Sequence, residues 1–388
     1  MSNRLYLPFN IYDHYKESFM NMIAKLFKVI LVLAAIPVGI LLLFYFFAPI
    51  YHFSAPQQFK GTKIYNPYKN IEPSGWLALD VTEDEKFVDS TIVNKTNVVA
   101  ENQNILMQNS HNRIQAYTHG FNFVRTKQIC IGSQEVLWID LAFFQTTGLK
   151  QYIIDRLEKH NKLIALESQG YSFNDLKKLT RYNLWEILNG RVSSIAKWDT
   201  ALSAGQPAFL LADNRLKGKD FYSFTMVNTS ENKPASLIHS LNKGSVFGVK
   251  LPVNGGSFVS AGKKQIQLPF PEKVLMHNDT LLLKLKRQVK LIRFIRQGGR
   301  VAKSVQQADS AFYVLKPDDQ YIRTEIMLND GMVLYLNPVI RYNQNFPESQ
   351  LTAKVDVNVT GWLRLFYFAV VAFLFWFFTR KLPGKKTK

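Results

Sequence analysis

Between Gly148 and Asn214 one pattern of apolar and polar positions occurs three times. GLKQYIIDRLEKHN has apolar residues at helical spacing and leads into the wholly apolar LIAL. DLKKLTRYN leads into LWEILNG, and WDTALSAG into PAFLLADN. An amphipathic helix alternating with a short apolar strand is the mark of βα units in a barrel or layered α/β domain. PASLIHSLNKG and SVFGVKLP add a last helix and strand near Val249. The apolar runs end at Glu167-Ser168-Gln169, Leu188-Asn189 and Asp213-Asn214, and α/β enzymes place their chemistry at such strand ends.

Upstream, from Trp76 to Gln145, strand-like runs (WLALDV, STIVN, RIQAYTHGF, QICIGS, EVLWIDL) are separated by polar turns. Downstream, Gly255-Gly256 marks a boundary, after which the period shortens. DTLLLKLK, VKLIRFIRQGGRVAKSV, SAFYVLK and YIRTEIMLNDGMVLYLNPVIRY are strand-length runs. Leu283-Lys284-Leu285-Lys286 alternates, and Asn329-Asp330-Gly331 signals a hairpin. This part predicts a small all-β, sandwich-like domain.

Two runs fit neither period. Val29 to Ala48 contains no charge, and about 20 apolar residues cross a bilayer as a helix. It is too long for the core of a signal peptide and lacks small residues at cleavage spacing. Leu363 to Thr379 is the second, with Trp362 and Trp376 as interfacial anchors and Arg364 near one end. The expected plan is a segment 1–28, a transmembrane helix 29–48, a Pro/Gly/Asn-rich linker 49–75, an α/β domain 76–253, an all-β domain 254–360, a second transmembrane helix 361–379 and a basic tail 380–388. Both short flanks are basic, so the positive-inside rule puts both termini in the cytoplasm and the main domains in the periplasm or outside the cell.

The net charge of +19 over 388 residues changes this picture little. Residues 1–28 account for +2 and the tail for +5, leaving +12 spread across the middle rather than gathered in a binding arm. Lys284, Lys286, Lys290, Arg293 and Arg296 read as a solvated strand face. No nucleic-acid module, phosphate-cradling glycine loop, G-x-S-x-G elbow or zinc motif is present. Cys130 is the single cysteine, which rules out an internal disulfide, and its setting in QICIGS predicts a packed, inert thiol.

Taken together, IYNPYKN before Trp76, AYTHGFNFVRTKQICIG, QTTGLKQYIIDRLEKHNKLIAL, YSFNDLKKLTRYNLWEILNG and WDTALSAGQPAFLLADN resemble the polymerase-and-histidinol-phosphatase (PHP) superfamily in its membrane-anchored bacterial form. The resemblance covers about residues 60–250. It implies a distorted (β/α)7 barrel, and for active members a cluster of His, Asp and Glu at the strand ends holding two or three metal ions. Those ions would clamp a phosphate ester and lower the pKa of the attacking water. In this chain the ligand positions have changed. Val81 and Glu83 fall where the opening His-x-His is expected, and VVAENQNI replaces the Asp-His pair. Thr118-His119-Gly120 stands for Glu-His-Gly, and Lys127 for a following histidine. Glu167-Ser168-Gln169 stands for His-Pro, and Asp213-Asn214-Arg215-Leu216-Lys217 for the closing Asp-x-His. Only seven histidines exist, and no two lie within four residues of each other.

The resulting expectation is a fold kept and a chemistry discarded. The chain would be a pseudoenzyme of a metal-dependent phosphoesterase family, without a catalytic residue, resident metal or other cofactor. Its vestigial pocket would be formed by Thr118, His119, Lys127, Glu167, Ser168, Asp213 and Lys217. Its partners would be the lipid bilayer and a protein or small anionic ligand. A second reading rebuilds a metal site for Mg, Mn or Zn from oxygen-rich residues, Asp80, Glu83, Asp84, Asp140, Glu167 and Asp213 with His119. A third makes the carboxy-terminal β domain the binding part, with Tyr313, Tyr321, Tyr335 and Tyr342 as contact surface.

Overall fold

A computed structural model describes residues 51–80, 114–120, 126–137, 140–141, 145–190, 192–213, 223–252 and 268–379, the strand 98–102 and separate positions between 19 and 50. The chain divides into two compact units. One comprises Met1–Ile50 with Val355–Lys388, the other Tyr51–Lys354.

In the larger unit short strands β1 (Tyr51–Phe53) and β2 (Ile64–Tyr65) precede β3 (Trp76–Asp80), β4 (Val98–Asn102), β5 (Ile114–His119) and β6 (Gln128–Ile131). Helix α1 (Thr147–Glu158) then leads to β7 (Leu163–Leu166), the single turn α2 (Phe173–Leu176) to β8 (Leu184–Asn189), and α3 (Ile195–Ser203) to β10 (Phe209–Asp213), with a two-residue β9 (Val192–Ser193) beside β8. Strand β11 (Ser223–Asn228), helix α4 (Pro234–Lys243) and strand β12 (Val246–Lys250) follow. Strands β7, β8, β10 and β11 are buried along their whole length, as expected of apolar runs covered on both faces. Proline at the first turn of α4 and Gly244 just beyond its end delimit that helix. Gly244 has φ +73°, and a Cβ there would lie 2.6 Å from the Phe209 ring, so only glycine fits.

The strands form one long curled sheet in the order β10-β8-β7-β6-β5-β4-β3-β11-β12. The expected (β/α)7 barrel is not what the chain builds. Strand β6 runs antiparallel to both β5 and β7, and β11 antiparallel to β3. Parallel pairing is limited to β10 with β8, β8 with β7, and β3 through β5. Where the curl brings β10 against β11, a side chain joins them in place of a ladder. The Ala212 N–H donates to Thr225 Oγ1 at 2.8 Å, and that hydroxyl donates to the Ala212 carbonyl at 2.7 Å. The apolar period predicted the strands, but period carries no information on strand direction, and direction is what separates a βα barrel from this mixed sheet.

The remaining strands continue the same sheet and form no sandwich among the described residues. They are β13 (Pro271–His277), β14 (Thr280–Arg296), β15 (Arg300–Val314), β16 (Tyr321–Met327) and β17 (Val333–Arg341). Strand β17 pairs antiparallel with β12, placing Phe247 opposite Leu336. The register between β14 and β15 slips between Lys284 and Val289, which bends the ribbon over a core where Phe294 stacks on Tyr313 at 5.8 Å. The predicted hairpin at Asn329-Asp330-Gly331 joins β16 to β17. A buried ion pair fastens this half to the first: Arg323 on β16 grips Asp199 on α3 through Nε at 2.7 Å and Nη2 at 2.8 Å, with its guanidinium over the Trp198 ring. Gly255-Gly256 lies outside the described residues. The ends of this unit meet in a two-stranded sheet of β1 and β18 (Ala353–Val355).

In the smaller unit α5 (Val357–Thr379) is capped by Asp356, whose Oδ1 accepts the Val359 N–H at 3.0 Å. Its stretch Val357–Trp376 is long and apolar enough to cross a membrane, and Trp362 and Phe368 are 74% and 70% exposed. It is the one such helix among the described residues, so the expected flank of two transmembrane helices is not found. Much of the first apolar run, Val29 to Ala48, lies outside the described residues.

Candidate functional site

Parallel β5, β7, β8 and β10 direct their carboxyl ends to one side of the sheet, joined there by the start of antiparallel β6. This brings together His119 at the end of β5, Gln128 at the start of β6, Glu167 and Ser168 after β7, Asn189 ending β8 and Asp213 ending β10. All six are buried, Asp213 completely, while Thr118 and Lys127 beside them are half-buried. Lys217 lies outside the described residues, as do Glu83 and Asp84. Of Asp80 only its backbone place at the end of β3 is described.

A chain of hydrogen bonds crosses this end. His119 Nδ1 lies 2.9 Å from Gln128 Oε1, an acceptor, so the ring donates through Nδ1. Gln128 Nε2 in turn donates to the Tyr171 hydroxyl at 2.5 Å. Burial pushes the Tyr171 phenol well above its ordinary pKa, the Gln128 bond pulls the other way, and the Glu167, Asp175 and Asp140 carboxylates add to the rise. Tyr171 is therefore a neutral phenol.

Beside it lies an ion pair that sequence reasoning missed. Lys150 in the first turn of α1 donates from Nζ to Asp175 Oδ2 at 2.7 Å and to the Gly170 carbonyl at 2.7 Å, and its ammonium sits 5.3 Å from the centre of the Tyr171 ring. Asp175 is the third residue of α2 and closes a capping box with Ser172. It also accepts the Thr147 hydroxyl at 2.6 Å. Burial alone would raise the Asp175 pKa, but the bonds from Lys150, Thr147 and the Ser172 backbone outweigh it and hold the carboxyl below its usual value. Lys197 on α3 donates to the Ser168 carbonyl at 2.9 Å, and burial and the neighbouring Lys150 ammonium both lower its pKa. The signal for Lys150 was in the sequence. It stands three, four and seven residues before Ile153, Ile154 and Leu157, on the buried face of the helix.

A second carboxylate at this end is also engaged. Glu186 on β8 accepts the Ser168 N–H at 2.9 Å through Oε2 and the Asn189 side chain at 2.9 Å through Oε1. Asp213 takes part through its carbonyl, which accepts Gly190 N–H at 3.0 Å and the Ser223 hydroxyl at 2.5 Å. Asp140 Oδ1 accepts the Leu141 N–H at 2.7 Å. A multi-metal centre needs carboxylate and imidazole lone pairs converging on one point. Among the described residues no group of three or more His, Cys, Asp or Glu is so placed. The described donors do not form the metal cluster implied by the resemblance.

Two other candidates resolve simply. Cys130 is wholly buried, and burial pushes its thiol up to about 12, so it is no nucleophile at neutral pH. Tyr313, Tyr321, Tyr335 and Tyr342 are buried in the core and are not contact surface.

No family model and no curated protein matches the chain. Among solved structures, the chain is similar to a two-domain protein containing a predicted PHP-like metal-dependent phosphoesterase from Bacteroides vulgatus ATCC 8482, at 8% identity and a TM-score of 0.32, over 78% of this chain and 99% of that one. At that score the likeness supports no inference about chemistry.

Proposed function

We propose that this protein is a catalytically silent, metal-independent relative of PHP-like phosphoesterases, which acts as a binding or scaffolding module held at a bilayer by α5 and facing away from the cytoplasm. One observation carries this reading. Lys150 and Asp175 form a buried ion pair at the strand ends, and Lys150 places an ammonium there. That ammonium occupies the Asp175 carboxylate, which is then not free to bind a divalent ion. Glu186 at the same end accepts the Ser168 N–H and the Asn189 amide, so this carboxylate too is held by the chain's own donors.

The test is direct. Full-length protein purified without chelator is analysed for Zn, Mn, Fe and Mg and assayed with bis(p-nitrophenyl) phosphate in the presence of each ion. The expected result is less than stoichiometric metal and no turnover above the metal-only blank. Stoichiometric metal together with turnover that is lost in His119→Ala would overturn the proposal.

A further inference from the structure

A different surface lies on the face formed by strands β13, β14 and β15. Residues directly opposite one another in an antiparallel pair share a face, so the registers fix what this face carries. Leu275 on β13 and Phe312 on β15 both stand opposite Leu282 on β14. In the adjoining row of the same face Lys273 and Ser310 stand opposite Lys284, and in the row on the other side Thr280 lies between His277 and Val314. The residues one step along the strands, Val274, Leu281, Leu283, Ala311 and Tyr313, are buried and form the inner face. The outer face is not covered: Leu275, Leu282, Phe312 and Val314 are 42%, 39%, 52% and 54% exposed. Four large apolar side chains grouped across three strands make a patch, and such patches mark contact with a partner or a membrane.

The patch has a basic rim. Lys273 and Lys284 border it, and Lys286 follows Lys284 on the same face of β14. The Lys303 ammonium sits 3.8 Å from the centre of the Phe312 ring and donates to the Phe312 carbonyl at 2.8 Å. Residues 271–314 hold nine Lys and Arg against three Asp and Glu. Two of these acids are already paired, Asp309 with Lys284 and Asp279 with Arg341. Arg296 is held by Asp318 and Asp319, and Arg293 stands opposite Glu325, yet a positive excess remains. That combination selects the occupant. A second copy docked face to face would set lysines against lysines. An anionic bilayer matches both parts at once: apolar side chains enter the boundary between headgroups and acyl chains, and lysines extend their ammonium groups to lipid phosphates. Such a surface is at hand, because α5 begins at Val357, two residues after β18 ends at Val355.

We propose that the outer face of β13, β14 and β15 docks on an anionic lipid surface, with Leu282 and Phe312 in the apolar boundary and Lys273, Lys284 and Lys286 on the headgroups. The inference rests on the reading of α5 as a bilayer anchor. The experiment uses full-length Leu282→Cys protein carrying a nitrobenzoxadiazole label, since Cys130, the single native cysteine, is wholly buried. It is reconstituted into vesicles of phosphatidylcholine alone, or of equal parts phosphatidylcholine and phosphatidylglycerol, with a shallow nitroxide lipid as quencher in both leaflets. Quenching is expected in the anionic vesicles, weak in phosphatidylcholine alone and weakened again by high salt. Lys273→Gln and Lys286→Gln are each expected to lower the docking equilibrium read from the quenching about fivefold. Absence of quenching in anionic vesicles, or quenching that neither variant changes, overturns the docking face. So do emission changes that grow with the protein-to-lipid ratio without quenching, which mark a second copy. So does a response to a polyglutamate peptide where anionic vesicles give none, which marks an acidic protein partner. Flotation with pure phosphatidylcholine vesicles tests the anchor separately. A protein that fails to float there overturns the anchor reading, and the docking face falls with it only if anionic vesicles give no quenching either.

Discussion

The two ends of β7, β8 and β10 are both polar and both buried, and they differ in how particular side chains are satisfied. At the carboxyl end Asp175, Glu186, Gln128 and Tyr171 are each bonded to another part of the chain. At the amino end the Tyr182 hydroxyl and Gln206 Oε1 have no internal partner. A buried polar network that is fully satisfied rigidifies a fold and leaves little for a ligand to gain, whereas orphaned groups carry a desolvation penalty. At the end that a PHP-like reading marks as the active site, four polar side chains are thus held by the chain itself, and at the other end two polar atoms are not.

The sharpest way to break this comparison is to unlock the carboxyl end. Lys150→Met keeps the length of the side chain but leaves Asp175 buried without its cation. Removing one partner of a buried ion pair costs about 3–5 kcal/mol, and urea unfolding of the full-length protein is expected to show a loss in that range. Lys150→Met combined with Asp175→Asn should recover much of it, because the uncompensated charge is then gone. A loss below about 1 kcal/mol for the single change would mean that the pair is no lock.

Acid tests the same pair without mutation. The folded Asp175 pKa is depressed, so its contribution is present above the unfolded value of about 3.9 and is lost as pH falls through the folded value. Stability should therefore fall below about pH 4, and Lys150→Met should fall less steeply there, since the main hydrogen bond that depresses the pKa is missing. Thermal midpoints measured from pH 6 to pH 3 check both statements. Equal slopes for the two proteins would refute the assignment.

How much of this was legible beforehand depends on the kind of information each feature needs. Strands β7, β8 and β10 were readable because LIAL, LWEILN and FLLAD are apolar on both faces. Helix α2 is a single turn where DLKKLTRYN suggested a longer one: Leu176 and Leu179 are both buried without further helix, and Arg181 adopts φ +64°, which no helix continues through. The antiparallel insertion of β6 was not readable, since His119 opposite Gln128 is a matter of register that no local pattern encodes. Grouping His119, Glu167 and Asp213 at one end followed from strand ends alone. Their engagement did not, because Gln128, Tyr171, Glu186 and Lys150 come from four different elements or loops. Tyr182 and Gln206 carried no signal at all: a tyrosine and a glutamine before apolar runs look like ordinary turn residues.

The smallest effect is expected at the amino end, and its sign is informative. Tyr182→Phe removes only the hydroxyl that has no partner, and keeps the ring that fills the site. If the hydroxyl were hydrogen-bonded within the protein, its loss would cost about 1 kcal/mol. As an orphan it imposes a desolvation penalty on the folded state that the phenylalanine lacks, so the variant should unfold at the same or slightly higher urea concentration, a gain of up to about 1 kcal/mol. A tyrosine of equal burial supplies the internal control. Tyr68 donates its hydroxyl to the Val246 carbonyl at 2.6 Å and accepts the Asn337 N–H at 2.6 Å, so Tyr68→Phe should be clearly destabilised under the same conditions. Opposite signs for these two substitutions would show that the Tyr182 hydroxyl is unsatisfied within the folded chain; the same sign and size would show that it is bonded there as the Tyr68 hydroxyl is.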